Sequence, residues 1–237
     1  MSVKVEAKNV QSMFDQIAPK YDLTNSVLSM GIHHLWRRSL IKLVPSLEHG
    51  RVLDVCTGTG DLLPLLKQRF GSAIGLDFSF EMLEAGLNQR RDRLEKGLSP
   101  RIQGDALKLP FQSDYFDVIT VSFGARNFEN LTAGLMELYR VLKPGGSLLI
   151  LEFGQPSNKL FASLYNWYSK NIMPLIGGLL TGNRTAYEYL PETAAVFPCR
   201  ENFCELVNNC GFSATKYKSL SFGIAYAYHA SKSSDLP

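Results

Sequence analysis

The 237-residue chain has few cysteines, and their spacing is not that of a metal site or a disulfide scaffold. They are Cys56, Cys199, Cys204 and Cys210, and no pair of them forms a C-x-x-C motif. Structural zinc sites and small secreted domains both need cysteines that are closer together or more numerous. We therefore expect no bound metal and a reducing, cytoplasmic location.

Long apolar runs are also missing. The nearest candidate, Ile172 to Leu180, is well short of the roughly 20 residues that cross a bilayer, and it contains a proline and two glycines. The first nine residues mix Lys and Glu, so no signal peptide is expected and the mature chain should begin at or near Met1. These absences argue against a spanning protein, but they leave open a peripheral position at the inner face of the membrane.

The chain has no large excess of charge of either sign. Lys and Arg number 25 against 22 Asp and Glu, which gives a net charge of +3. Nucleic-acid binding requires clustered basic residues, so no nucleic-acid partner is expected. With 45% hydrophobic and 20% charged residues, the sequence is typical of one globular domain with a sizeable core.

What the sequence does contain is a strand and glycine turn between Arg51 and Gly60, with the letters R-V-L-D-V-C-T-G-T-G. The apolar residues around Asp54 are typical of a short buried strand. The following run, Thr57 to Gly60, contains Gly58 and Gly60, which allow the backbone to approach a ligand closely. This stretch predicts a turn that binds a nucleotide-type cofactor.

Strand and helix patterns then alternate along the chain. The predicted strands that follow are 73–77, 101–105, 116–123 and 147–153, and the predicted helices are 61–70, 79–96 and 129–142, with Lys143 to Gly146 as a stop and turn. A helix over 199–209 and strands over 214–220 and 223–230 end the chain in a hairpin. This alternation predicts an α/β, Rossmann-like, doubly wound and mostly parallel seven-stranded sheet.

The rest of the chain covers this sheet, and we expect all 237 residues to form one domain. Residues 1–48 have helical apolar spacing and should form an N-terminal cap before the core at 51–153. Residues 157–198 are aromatic and apolar and should form a helical lid, followed by the last helix and hairpin at 199–230. The lid could form an apolar pocket, face lipid or simply pack on the sheet.

Polar residues fall at the carboxyl ends of four predicted strands, namely Thr59, Asp77, Asp105 and Ser122. Because parallel strands end at one edge of the sheet, these side chains should converge there. Asp77 lies 17 residues after Gly60, close to the spacing at which an acid accepts hydrogen bonds from ribose hydroxyls.

Two common phosphate-binding motifs are absent. A dinucleotide fingerprint needs a third small residue three positions after Gly60, where this chain has Leu63, and no Gly-Lys-Ser/Thr follows the turn. The expected ligand is therefore a nucleoside without a pyrophosphate.

The D-x-x-x-G-x-G turn resembles that of class I S-adenosylmethionine-dependent methyltransferases. Two longer stretches are similar to signatures of the quinone-biosynthesis C-methyltransferases, which methylate demethylmenaquinone or 2-polyprenyl-6-methoxy-benzoquinol: Tyr21 to Trp36, and Arg140 to Glu152. The resemblance extends to Phe123-Gly-Ala-Arg-Asn127 and to Tyr187-Glu-Tyr-Leu-Pro191, and it covers nearly the whole chain. Thr24 and Gly154 depart from it, where methionine and serine are usual.

The resemblance implies S-adenosylmethionine as the cofactor, held by Thr59, Asp77, Asp105 with Ala106, and Ser122, and a polyprenylated quinol as the acceptor. A ring hydroxyl of a quinol must ionise before the ring carbon becomes nucleophilic, and a phenol does so near pH ~10 in water. Our hypothesis is that Arg126, just beyond strand four, stabilises the phenolate. A structural salt bridge is the alternative for Arg126, and His33 or Tyr21 would assist deprotonation.

Several alternatives stay open at this point. Phe14, Ile17, Leu28 and Trp36 are interpreted as packing residues, whereas Tyr21, Asn25 and His33 are ligand candidates in the cap.

The chain could methylate another small hydrophobic acceptor, or it could be a non-catalytic nucleoside-binding regulator. An RNA methyltransferase is a further alternative suggested by Arg90-Arg91-Asp92-Arg93, a run that we interpret as a solvated helix face. Contact with a membrane through the 160–180 segment and a homodimer are also considered.

Overall fold

The computed structural model describes residues 6–88 and 99–234. Within them, seven strands form one sheet in the order β3-β2-β1-β4-β5-β7-β6. The strands are β1 Gly50–Val55, β2 Gly71–Asp77, β3 Arg101–Gln103, β4 Phe116–Ser122, β5 Leu142–Phe153, β6 Ser213–Leu220 and β7 Ala225–Ser231. Strands β1 to β5 are parallel, and β7 is antiparallel to both of its neighbours. The prediction of a mostly parallel, doubly wound sheet is confirmed.

Helices cover both faces of the sheet and its carboxyl edge. Those between and after the strands are α4 Leu63–Phe70, α5 Phe80–Asn88, α6 Leu131–Val141 and α10 Glu201–Asn209. The cap contains α1 Ala7–Ile17, a 3₁₀ turn at Ala18–Lys20, α2 Tyr21–Leu28 and α3 Ile32–Ile41. The lid contains α7 Lys159–Asn171, α8 Met173–Thr181 and α9 Arg184–Val196.

The central strands are buried on both faces because apolar residues occupy consecutive positions. Leu53 and Ile119 pack with α6 and α10 on one face, whereas Val52 and Val118 pack with α3 and α4 on the other. Successive side chains of a strand point to opposite faces, so each short apolar run supplies two cores. This double burial fixes the strand ends that carry the polar residues.

The cap and the lid share a separate apolar cluster away from the sheet. Ile17 and Leu28 of the cap pack there against Met173 and Tyr187 of the lid. The Tyr168 hydroxyl of the lid also donates to the Leu28 carbonyl at 3.0 Å. Among residues 6–88 and 99–234, no helix combines the length and the apolar character needed to cross a bilayer.

The structure differs from the predicted elements mainly at glycines and prolines. Lys143 to Gly146 were expected to be a turn, but they form a bulge inside β5, since Phe116 pairs with Leu142 and Val118 with Ser147. Backbone hydrogen bonds from this bulge to Lys232 keep it in the sheet.

One helix prediction differs from the structure, and another extends beyond the described residues. Helix α4 begins at Leu63 rather than at Asp61, because the glycine turn continues to Leu62. The predicted end of α5 at Lys96 and the basic run Arg90 to Arg93 lie outside the described residues.

Candidate active site

The side chain of Asp54, in β1, fixes the turn that follows this strand through hydrogen bonds. Its carboxylate is buried and accepts hydrogen bonds from the hydroxyls of Thr57 at 2.7 Å and Thr120 at 2.5 Å. Burial raises the pKa of Asp54 to about 6, and the two hydroxyl hydrogen bonds oppose that shift. Asp54 therefore joins β1, its turn and β4, and it faces the core rather than a cavity.

Asp77, at the end of β2, connects the turn to the start of α5. Its carboxylate accepts from the backbone N–H of Gly58 at 2.7 Å and of Ser79 at 3.0 Å. Burial raises the pKa of Asp77, and these backbone hydrogen bonds lower it. Cys56 and Gly58 adopt positive φ angles of 56° and 58°, and these angles let the Gly58 N–H face Asp77.

A cavity with both polar and apolar lining residues lies at the carboxyl edge of the sheet, and we call it the cofactor cavity. Its lining includes Gly58, Asp77, Asp105 and Ser122, which come from the ends of four neighbouring strands. The Ser122 hydroxyl is buried and has no hydrogen-bond partner in the described part of the chain. An unpartnered buried hydroxyl facing a cavity is a group that a bound ligand can satisfy.

Three other residues predicted to bind the cofactor do not line this cavity. The Thr59 hydroxyl is buried and donates to the Asp22 carboxylate of the cap at 2.9 Å. Gly60 packs against Arg101, whose Nη2 would lie 2.6 Å from a Cβ at that position. Ala106 is buried in the core beside the cavity. These three residues pack behind the cavity wall and do not line the cavity themselves.

Sequence patterns missed several residues that line the cofactor cavity. Helix α1 of the cap closes one side with Val10, Gln11 and Phe14. Ser79 and Asn127 line it too, although Ser79 was predicted only as the first residue of a helix and Asn127 was noted only as part of a motif. No local pattern could have identified the α1 residues, because their position depends on how the cap folds back over β2.

A second, larger cavity lies between the cap and the lid, and we call it the acceptor cavity. Its volume is about 580 Å³, and its walls are mostly aromatic and aliphatic. They include, among others, Leu28, Trp36, Phe153, Phe161, Tyr165, Trp167, Met173, Leu190 and Ile224. Tyr21 and Phe123 line both cavities, so the two spaces meet at these side chains.

Arg126 lies in a 3₁₀ turn after β4 and lines the acceptor cavity. Its side chain is 4% exposed and forms an ion pair with Glu152, which is 0% exposed, at 2.8 Å. The same guanidinium donates to the Phe123 carbonyl and lies 5.2 Å from the centre of the Phe153 ring. The Nε of Arg126 has no hydrogen-bond partner among the described residues. Arg126 is thus both part of a buried ion pair and part of a ligand cavity.

Tyr21 and His33 of the cap also line the acceptor cavity, as does Asn25. Burial raises the pKa of Tyr21, and the positive charges of Arg37 and Arg126 oppose this effect, so its hydroxyl is protonated at neutral pH and can donate a hydrogen bond. His33 Nδ1 lies 2.6 Å from the Ser29 hydroxyl.

The imidazoles of His33 and His34 and the Asp61 carboxylate offer ligand atoms within 4.8 Å of one another. However, the Arg37 guanidinium pairs with that carboxylate, so a cation already occupies the acidic side of this cluster.

Comparison with known proteins gives a consistent result over nearly the whole chain. The model of the ubiE/COQ5 methyltransferase family matches residues 1–232. The ubiquinone/menaquinone biosynthesis C-methyltransferase UbiE of Bdellovibrio bacteriovorus is 44% identical over 223 residues, which cover 92% of this chain and 94% of that protein. The demethylmenaquinone methyltransferase of Thermus thermophilus is 44% identical over 216 residues, covering 90% and 96% respectively.

Solved structures of lower identity share the fold. A SAM-dependent methyltransferase from Thermotoga maritima superposes with a TM-score of 0.65 at 19% identity, covering 94% of this chain and 99% of that chain. Phosphoethanolamine N-methyltransferase 2 of Haemonchus contortus, solved with S-adenosyl-L-methionine, has a TM-score of 0.62 at 16% identity and covers 83% and 52%.

Proposed function

We propose that this chain, which belongs to the ubiE/COQ5 methyltransferase family, methylates a ring carbon of a polyprenylated quinol in menaquinone or ubiquinone biosynthesis. It is an S-adenosylmethionine-dependent methyltransferase with a Rossmann-like fold. The observation that best supports the quinol is the junction of a cavity that contains Asp77, Asp105 and Ser122 at the strand ends with a large apolar cavity. One cavity suits a nucleoside cofactor, and the other suits an aromatic ring with an apolar tail.

The residues of the cofactor cavity fit S-adenosylmethionine. Asp77 would hold the ribose hydroxyls, Asp105 would lie beside the adenine, and Ser122 would use its unpartnered hydroxyl. At Gly58, where φ is 58°, a Cβ would lie 3.1 Å from Met82, so the absence of a side chain keeps this wall open. When bound, the cofactor supplies an electrophilic methyl group on a sulfonium sulfur.

The chain's own residues would prepare the acceptor ring. Arg126 carries its charge on the wall of the acceptor cavity, close to the junction at Phe123, where it would stabilise a ring hydroxyl as phenolate. The carboxylate of the buried Glu152 accepts hydrogen bonds from Nη1 and from the backbone N–H of Arg126, and it thereby fixes the position of the guanidinium. Tyr21 would orient the ring by donating a hydrogen bond, and His33 would take the proton directly or through water.

The whole chain would act as a single methyltransferase domain in which the cap and lid choose the acceptor. Their shared apolar cluster supports this division of labour. We also propose that the protein works at the inner face of the membrane, with the 160–180 segment towards lipid. The exposed apolar residues Leu160, Leu164, Trp167 and Leu179 support that orientation.

The decisive experiment is incubation of the purified protein with labelled S-adenosylmethionine and either demethylmenaquinol or a methoxy-benzoquinol. Label should pass to the ring of at least one of them. Cofactor binding without transfer to either quinol would reject the proposal in favour of another hydrophobic acceptor or a binding protein.

Replacing Arg126 tests the mechanism. Because Arg126→Ala leaves Glu152 buried without its partner, the matched variant is the double replacement Arg126→Met with Glu152→Leu, which removes both charges. We expect either variant to lower kcat by a factor on the order of 100 or more, as for the loss of a preorganised charge, with cofactor affinity changed little. Retained turnover in the double variant would assign Arg126 a purely structural role.

A further inference from the structure

Two turns outside the lid each place a large apolar side chain in solvent at the mouth of the acceptor cavity. Met30, between α2 and α3, is 82% exposed, and Phe222, between β6 and β7, is 79% exposed. Both residues line the cavity. Exposed single apolar residues are common, but these two line the same cavity.

Both residues also have an unfavourable backbone conformation. Met30 has a φ of 50° and Phe222 a φ of 58°, in the left-handed region that bulky side chains rarely adopt. Each position therefore combines a strained backbone with an apolar side chain that packs little against the folded protein. Neither feature stabilises the chain alone, which indicates that a partner covers them.

Helix α7 of the lid adds a third apolar element beside these turns. Leu160, Leu164 and Trp167, at successive turns of the helix, are all more than half exposed. Leu164 and Trp167 also line the acceptor cavity, together with Phe161 and Tyr165 of the next stripe, whereas Leu160 does not. The apolar surface of this helix therefore extends from the cavity onto the outside of the protein, as is typical of a helix that lies against lipid.

These three elements are fixed to one another around the mouth. The Phe161 and Phe222 ring centres are 5.3 Å apart, which joins the lid to the β6–β7 turn. The Trp36 indole donates to the Ser221 hydroxyl at 2.9 Å, which joins that turn to the cap. The mouth is therefore one continuous surface, and we call it the docking face: Met30, Leu160, Leu164, Trp167 and Phe222.

The charges of the segments that supply the docking face are all of one sign. Segments 23–47, 155–187 and 206–234 carry nine of the 25 Lys and Arg residues and none of the 22 Asp and Glu residues. Six of the nine are exposed and form no ion pair with a described residue: Arg38, Lys42, Lys159, Lys170, Lys216 and Lys218. Two of these, Lys159 and Lys170, lie at the two ends of α7, and an apolar face flanked by unpaired basic residues is complementary to an anionic lipid surface.

We infer that the docking face inserts into an anionic bilayer, so that the mouth of the acceptor cavity opens directly into the lipid. This inference rests on the proposed function, because a cavity of about 580 Å³ holds a ligand of ring-and-short-chain size and a longer tail must leave through the mouth. Met30 and Phe222 then enter the bilayer together with α7, and Lys159 and Lys170 at the ends of α7 contact the headgroups.

The test is vesicle flotation of the full chain without cofactor or quinol, so that its result does not depend on methyl transfer. The protein should bind phosphatidylcholine vesicles that contain phosphatidylglycerol and bind pure phosphatidylcholine vesicles much more weakly. The key variant is Met30→Asn with Phe222→Asn, because Asn adopts positive φ readily and both replacements relieve strain. This variant should keep its fold and lose binding by about tenfold or more.

Two matched variants separate the apolar and electrostatic contributions. Met136→Gln replaces a residue that is 58% exposed on α6 and lines neither cavity, so vesicle binding should be unchanged. Lys159→Gln with Lys170→Gln should weaken binding to the anionic vesicles and leave binding to the neutral vesicles unchanged. Equal flotation of wild type and the Asn double variant, or no flotation of wild type, would overturn the inference. A dimer that needs Met30 and Phe222, without vesicle binding, would assign the face to a second copy of the chain.

Discussion

The cofactor cavity and the acceptor cavity meet at Tyr21 and Phe123, yet they are built differently. The cofactor cavity is narrow, about 110 Å³, and its polar lining comes from the ends of four neighbouring strands. The acceptor cavity is about 580 Å³, and its walls come from segments as distant as Tyr21 and Ile224. The cofactor cavity is built mainly from the strand ends and is closed on one side by α1 of the cap, whereas the acceptor cavity depends on the cap and lid packing against each other.

This difference implies that the cofactor site is rigid, whereas the acceptor site can adapt to different ligands. The strand ends are fixed by a doubly buried sheet, which positions polar groups accurately. The aromatic and aliphatic walls of the acceptor cavity would contact the apolar tail of the quinol through van der Waals packing rather than through directed hydrogen bonds. Such walls tolerate variation in chain length and ring type. Replacements in one cavity should therefore leave the other nearly unchanged.

The largest effect of this kind is expected for Asp77→Asn. The replacement removes a buried carboxylate that accepts from two backbone N–H groups and faces the proposed ribose position. Cofactor affinity should fall about 30-fold, since hydrogen bonds to charged groups contribute about 1.5–3 kcal/mol. Calorimetry with S-adenosylmethionine measures it, and the KM for the quinol should change little.

A control for Asp77→Asn is Asp114→Asn, which makes the same chemical change just before β4, at the opposite edge of the sheet. It should leave cofactor affinity unchanged. If both variants weaken binding equally, the effect is one of net charge, and Asp77 has no specific role.

A smaller effect, on the quinol rather than on the cofactor, is expected for Leu190→Ala in the acceptor cavity. Leu190 lies on α9 and lines the cavity beside the cap–lid cluster. The KM for a long-tailed quinol should rise about five- to tenfold, because about 1–1.5 kcal/mol of apolar contact is lost. Cofactor affinity should stay within twofold of wild type. A parallel loss of cofactor affinity would show that the two cavities are coupled through the cap.

The same difference explains what the sequence could predict. Asp77, Asp105 and Ser122 could be placed correctly, because strand periodicity locates strand ends and parallel strands share an edge. The α1 residues Val10 and Gln11, and the joint wall of cap and lid, could not. Their positions depend on contacts between residues far apart in sequence, such as Gln11 with Phe78 and Leu28 with Tyr168, for which local periodicity carries no information.

Thr59 lies at the boundary between these two kinds of prediction, and it carries the smallest expected effect. The resemblance to known families implies a cofactor ligand, whereas the structure directs its hydroxyl to Asp22 of the cap. If the hydroxyl mainly ties the turn to the cap, Thr59→Val should cost about 1 kcal/mol of stability and lower cofactor affinity only about threefold. Asp22→Ala should then have a similar effect, and the double variant should add little, because both changes remove the same hydrogen bond.

Direct cofactor binding by the Thr59 hydroxyl predicts a different result. Thr59→Val would then lower cofactor affinity well beyond Asp22→Ala, and the effects of the two replacements would add. A double-mutant cycle read by calorimetry distinguishes the cases. A strong coupling between Thr59 and Asp22 would also show that the glycine turn beside the cofactor cavity holds the cap in place, although the cap builds part of the acceptor cavity.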